Sequence, residues 1–191
     1  MRLIVYEPIQ VDQKAFVSFW AERYKGYDDE FYKANVGQKL TESRILDLFI
    51  WKNGTKLSES KRQSVLRNFV ARRSELTLAA NETATQLLAR FNEGGAIWRI
   101  FWLHCWQPMR FPIYDQHVHR AMRFVESGVR EEIPKLDPQK VSVYLDRYMT
   151  FHAQFDGMPY RQVDKALWAF GKFIGEKNFP HEPQWSHFAA G

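Results

Sequence analysis

Cysteine is all but missing from this chain: Cys105 is the single thiol in 191 residues. That excludes an intrachain disulfide framework and any zinc cluster built on cysteines, and it suits a reducing compartment. Long apolar runs are missing too. No uncharged stretch approaches the roughly 20 residues needed to span a bilayer, so no membrane partner is expected. Met1 to Pro8 holds only a short apolar run with no small-residue cleavage pattern, which does not read as a signal peptide. There is no linker rich in Gly or Ser, no internal repeat, no low-complexity segment and no clean strand pattern beyond residues 2–6. The expectation is a soluble cytosolic or nuclear-type protein.

What the chain does carry is helical periodicity, aromatic mass and positive charge. Its length suffices for one or two small lobes with a substantial core. Aromatic residues make up 16%, seven of them Trp, which weighs against disorder and points to a bulky core with some rings available for stacking. Asp12 caps a segment in which Phe16, Phe19, Trp20 and Tyr24 follow helical spacing. Thr41 opens another, with Ile45, Leu48 and Phe49 on one face and Asn53-Gly54 as its stop. Ser58 caps a third that turns Val65, Leu66, Phe69 and Val70 inward, and Asn81 begins a fourth that runs to Gly94-Gly95. A very apolar helix follows from Ala96 to Trp106 and stops at Gln107-Pro108. Asp137-Pro138 reads as a cap followed by proline at the first turn, ahead of a stripe of Val141, Leu145, Tyr148, Met149 and His152. Val163, Ala166, Leu167, Phe170 and Ile174 line the last helix, and the tail from Pro180 reads as irregular. The fold class is all-α. Residues 1–191 read as one helical unit with room for two lobes flanking a cleft, whose boundary composition does not set.

The net charge of +5 favours an anionic partner, and it is concentrated. Between residues 51 and 75, Lys52, Lys56, Lys61, Arg62, Arg67, Arg72 and Arg73 face only Glu59 and Glu75, so this stretch alone accounts for the excess. It is either a solvated helix face or a surface that contacts phosphates, where each Lys or Arg releases counterions and makes affinity salt-dependent. The turn Asn92-Glu93-Gly94-Gly95 has a similar pair of readings. Two glycines permit positive φ and close backbone approach to a ligand, and N–H groups at the next helix start can hold a phosphate. The same pair also makes an ordinary C-cap.

About twenty residues on lies Phe111-Pro112-Ile113-Tyr114-Asp115-Gln116-His117-Val118-His119-Arg120. Pro112 cannot extend the preceding helix and biases Phe111 toward an extended conformation. Val118, Ala121, Met122 and Val125 then form one apolar helical stripe. Asp115 therefore sits at a helix start, as an N-cap or as a carboxylate held for chemistry. Asp-x-His-x-His invites a metal, but helix positions two apart point about 200° away from each other, so His117 and His119 cannot chelate one ion. No metal is expected. His117 is expected to be buried and hydrogen-bonded near the helix start.

Glycine turn, apolar helix, proline-containing link and then Asp-x-His-Val-x-Arg resembles the helix-hairpin-helix DNA glycosylase superfamily, which includes endonuclease III and the 8-oxoguanine DNA glycosylases. The matching positions are Tyr114, Asp115, His117, Val118 and Arg120, with Gly95 where the second hairpin glycine belongs. Outside residues 92–125 the likeness is one of helix order and size, with a faint echo of an 8-oxoguanine-type last helix in Tyr160 to Trp168.

The resemblance implies a compact fold with a helix-hairpin-helix-like element and a central cleft. It implies a base-excision N-glycosylase with no cofactor, located in the cytoplasm with the nucleoid, whose partner is double-stranded DNA or a modified nucleobase. Asp115 would be the catalytic carboxylate, stabilising positive charge on the sugar in an oxocarbenium-like transition state and orienting the attacking water. Gly94, Gly95, Lys52, Lys56, Lys61, Arg62 and Arg99 would contact nucleic acid, and Tyr114, His117 and His119 would support the site. The base must leave the duplex to be reached. Members that also cleave the strand carry a Schiff-base lysine two residues past the second glycine. Here that position is Ile97, and no lysine lies between Gly94 and Asp115. The turn also lacks the Gly-x-Gly pattern. The alternative is a catalytically silent glycosylase-fold protein that binds nucleic acid or acts as an accessory, as in bacterial anti-phage defence, since some glycosylase-like proteins resemble components of anti-phage operons. Another is a helical interaction domain in which Asp115 only caps. The sequence specifies no oligomeric state.

Overall fold

Short polar side chains open several of the helices by accepting backbone N–H groups within the first turn. In the computed structural model, which describes residues 11–25 and 28–176, Asp12 accepts from Ala15 N at 2.9 Å and opens α1 (Gln13–Ala21). Asp28 does the same for α2 (Asp29–Asn35) and Thr41 for α3 (Glu42–Asn53), which ends on Gly54. Ser58 opens α4 (Glu59–Val65), which runs on through a wider π-turn segment, Leu66–Val70, before α5 (Arg73–Leu78). The next start differs from expectation. Thr83 rather than Asn81 caps α6 (Ala84–Arg90), because Thr83 and Gln86 form a reciprocal capping box. The rest are α7 (Ala96–Trp106), α8 (Gln116–Ser127), α9 (Asp137–Val143) with a π-turn segment at Tyr144–Tyr148, α10 (Met149–Ala153) and α11 (Tyr160–Ile174). The described residues contain no strand, and none of their helices is long and apolar enough to cross a membrane. The readings of Met1 to Pro8, of residues 2–6 and of the tail from Pro180 lie outside the described residues.

The chain divides into two interleaved units. Of the described residues, the first unit takes 11–24, 115–133 and 155–176, and the second takes 25, 28–114 and 134–154. The chain passes from the second to the first between Tyr114 and Asp115.

In the first unit α11 packs on both α1 and α8. Val118, Ala121 and Met122 are buried as the stripe predicts, but Val125, in the last turn of α8, is 51% exposed. An aromatic seam closes the other side, with Phe16 on Phe155 and Phe170, and Trp20 on Phe170 and Phe173. Phe19 sits at its edge, against Trp20 at 5.3 Å; half exposed, it lies under the guanidinium of Arg23 at 3.4 Å. Ion pairs tie the loop after α8 back to the helix, Arg120 with Glu132 and Arg123 with Glu131.

The second unit is built around α7. Ala96, Ile100, Phe101, Trp102, Leu103 and Cys105 are all buried, as expected of a helix apolar on every side. Phe49, Phe69 and Phe91 pack around Phe101 and Trp102. The link after α7 is fixed from within: His104 Nδ1 meets the Phe111 carbonyl at 2.7 Å, and its Nε2 meets Tyr32 Oη. Beyond α9 the buried stripe is Tyr144, Tyr148 and Phe151 instead of the expected Leu145, Met149 and His152, which lie half-buried on its flank. The tyrosines win because Tyr114 offers them a ring to pack on and Pro112 O accepts from Tyr144 Oη at 3.4 Å.

Candidate functional site

Asp115 stands at the start of α8 with extended backbone angles, φ −159° and ψ −174°. Its Oδ1 accepts from His117 N at 2.9 Å and Val118 N at 3.2 Å, and the side chain is half-buried. The carboxylate is thus an N-cap whose direction is fixed by two backbone bonds. Its two expected supporters on α8 point apart. His119 is fully buried, with Nε2 3.6 Å from Glu131 Oε1. His117 is half-buried rather than buried, and its ring meets the indole of Trp168 edge-on at 5.0 Å. Tyr114 belongs to the second unit, where it is fully buried against Tyr144 and Tyr148. Among the described residues no group of three or more His, Cys, Asp and Glu could hold a metal ion.

A glycine absent from the expected site lets α8 and α11 approach closely. At Gly171 an added Cβ would lie 1.8 Å from the carbonyl oxygen of His117. The two backbones therefore touch just after Asp115, and this touching point sets where the capped turn sits. Tyr24 and Trp168 pack edge to face nearby at 5.1 Å, ringed by cations: Arg161 and Lys165 over Tyr24, Lys172 over Trp168. A groove of about 280 Å³ in the same unit is lined by Val17, Met158, Pro159 and Gln162 among others, and Asp115 is not part of its lining.

In the second unit Gly94 and Gly95 both adopt φ +86°, the left-handed region that glycine tolerates. Gly94 is pressed onto Phe69, whose Cζ would lie 2.6 Å from an added Cβ, so the turn is bound to the basic segment that carries Phe69. The N–H expected to face a phosphate is already engaged. Ala96, the first residue of α7, donates to Asp137 Oδ2 at 3.0 Å. Asp137 does not cap its own helix, which starts after Leu136 without a side-chain cap; its other oxygen accepts from Lys140 at 2.8 Å. An internal carboxylate thus occupies the position an external anion would take at the α7 N-terminus.

Arg99 also departs from the expected phosphate-facing role. It is only 6% exposed, and its Nη1 donates to the carbonyls of Leu88 and Phe91 at the end of α6. Burial lowers its pKa, against the opposing charges of Asp137 and Glu93. The guanidinium closes α6 from inside and is turned away from any phosphate outside. The other expected cations differ in exposure. Lys56, Lys61 and Arg62 are exposed and Lys52 half-buried, with Arg67 and Arg73 exposed further along. Arg72 is held by Glu75 through two bonds of 2.8 Å.

Asp137 carries a stability prediction. The Lys140 ammonium first, then the Ala96 N–H and the Lys140 and Arg99 charges, hold its carboxyl below the ordinary aspartate range, with burial opposing. A carboxyl depressed in the folded state contributes stability above its unfolded value, and this contribution is lost as pH falls through the folded value. Asp137→Ala should therefore cost about 0.5–2 kcal/mol at neutral pH, the usual worth of a cap. The deficit should shrink below about pH 4, which thermal melts across pH 3 to 7 measure. The chain matches no family model, no curated protein and no solved structure.

Proposed function

We propose that this chain hydrolyses the base–sugar bond of a modified or flipped-out base in double-stranded DNA, as a helix-hairpin-helix-type N-glycosylase with Asp115 as its catalytic carboxylate. One observation carries the reading: two backbone N–H groups orient Asp115 Oδ1 while the side chain stays half-exposed. A carboxylate held this way does not have to reorganise when positive charge develops at C1′ of the sugar, and that preorganisation lowers the barrier. The same carboxylate can orient the water that completes the reaction. No lysine stands between Gly94 and Asp115 and Ile97 cannot form an imine, so the chemistry goes through water.

A second reading is favoured by Asp137 and Arg99. With the Ala96 N–H engaged internally and Arg99 turned inward, the glycine turn offers a phosphate less than expected. A silent nucleic-acid-binding protein would then rest on the exposed lysines and arginines alone. Base release from a panel of lesion-bearing duplexes separates the two. The glycosylase yields abasic sites without strand scission, and borohydride traps no covalent adduct. Salt-sensitive binding with no base released across the panel means the silent reading is correct. In either case, replacing Lys56, Lys61 and Arg62 with Gln should lower the slope of log affinity against log salt by roughly two to three, about 0.9 for each phosphate left without its cation.

A further inference from the structure

We infer that the second unit carries a stacking platform for an unpaired base of single-stranded DNA, formed by Trp98 with the Lys61 ammonium beside it. The inference rests on the nucleic-acid reading above and adds a partner state to it. Trp98 lies on the first turn of α7, two residues beyond Ala96, and is half-buried where its neighbour Trp102 is fully buried. Its inner side packs on Phe49 at 5.0 Å, and Phe49 stacks on Phe69 at 4.8 Å, the ring that also holds Gly94. The indole is therefore fixed in place before any ligand arrives, so little ordering cost falls on binding.

The Lys61 ammonium is held in place by one side chain. Asn53 Oδ1 accepts from Lys61 Nζ at 2.8 Å, while Asn53 Nδ2 donates to the carbonyl and hydroxyl of Thr55 at 3.0 Å each and to the Lys56 carbonyl at 3.4 Å. The end of α3, the following loop and the start of α4 are thereby drawn to one edge. Lys61 Nζ stands 5.9 Å from the centre of the Trp98 ring. Lys52 Nζ stands 5.7 Å from the ring of Phe101, one turn along α7. Glu59, the acid of α4, accepts from Gln63 at 2.7 Å. A fixed aromatic face beside an ammonium group, on an edge where the Lys56 side chain is also exposed, matches a base with its flanking phosphate. The four-carbon stem of Lys61 lets its ammonium move from ring to phosphate as a base slides over the indole. Bases inside a duplex have both faces covered and cannot use the ring, so the surface favours unpaired over paired DNA.

Anisotropy titrations of labelled oligothymidine and of a blunt duplex of equal length, with the full chain at low salt, test this. Trp98→Leu should weaken oligothymidine binding about tenfold and duplex binding less than about twofold. Lys61→Gln should weaken both and lower the salt slope by about one. A Trp98→Leu effect that is equal on the two DNAs, or absent on both, overturns the platform and leaves the nucleic-acid reading standing. Failure of the wild type to bind either DNA overturns that reading itself. Because Trp98 packs on Phe49, a measurement on the unaltered chain accompanies the variant. Ultraviolet cross-linking of bromodeoxyuridine-substituted oligomer should place an adduct on Trp98, and adducts found only at other residues contradict the proposal.

Discussion

Gly171→Ala is expected to destabilise the first unit by roughly 3 kcal/mol or more, at or beyond the upper end of overpacking costs. In an isolated helix the same change would help by about 1 kcal/mol, since alanine is the better helix former. Here the new Cβ would lie 1.8 Å from the His117 carbonyl oxygen. That neighbour is backbone, so no rotamer change relieves the overlap and α8 and α11 must move apart. Against a total stability of about 5–15 kcal/mol the loss is large, and it should appear as a fall of roughly 10 °C in melting temperature. Gly175→Ala serves as the comparison. Its new Cβ would meet chiefly the Arg120 guanidinium at 2.5 Å, the far end of a flexible side chain that can shift at the expense of its Glu132 pair. The Gly175 variant should lose much less, and a reversed order would contradict the packing described for this unit.

Asp115→Asn is expected to leave the fold intact and abolish base release, by at least about a hundredfold. The side-chain oxygen of Asn can still accept from His117 N and Val118 N, and Asn caps a helix about as well as Asp. What it lacks is the negative charge that faces a developing sugar cation. Asp115→Ala removes the cap as well, and should cost a further 0.5–2 kcal/mol of stability, approximately. The pair of variants separates the two roles of one residue. A melting temperature that falls only for Ala, beside activity lost in both, is the pattern expected of a catalytic cap. Stability loss in Ala with no activity to lose in the wild type is the pattern of a cap alone.

Local features of the molecule were legible in the sequence and distant ones were not. Asp12, Thr41 and Ser58 act across three residues, so their hydrogen bonds follow from spacing alone. Thr83 was legible in principle, since Thr-x-x-Gln is a capping box, but Asn81 competed for the same role. The bond from Ala96 N to Asp137 spans 41 residues, and Asp-Pro at a helix start reads naturally as a cap for its own helix. Arg99 reads as a cation near a glycine turn until α6 places two carbonyls around it. Gly171 did leave a signal, a glycine inside a strongly periodic helix, where its helix-propensity cost implies a packing reason. The partner backbone, some fifty residues earlier in the chain, is what the pattern could not show. Of the candidate site, Asp115 stands at a helix start, as the spacing predicts, and the side chains of Lys56, Lys61 and Arg62 are exposed. Tyr114, His119 and Arg99 proved to be buried packing or capping groups, because tertiary neighbours decide the direction of a side chain.

Single-turnover release of a free base from lesion-bearing duplex, by wild type and Asp115→Asn side by side, decides whether Asp115 is a catalytic carboxylate. An abasic product with the strand uncut is expected from the wild type, and none above background from the Asn variant of equal melting temperature. Equal release by both proteins, or no release by the wild type from any duplex in the panel, contradicts a catalytic Asp115.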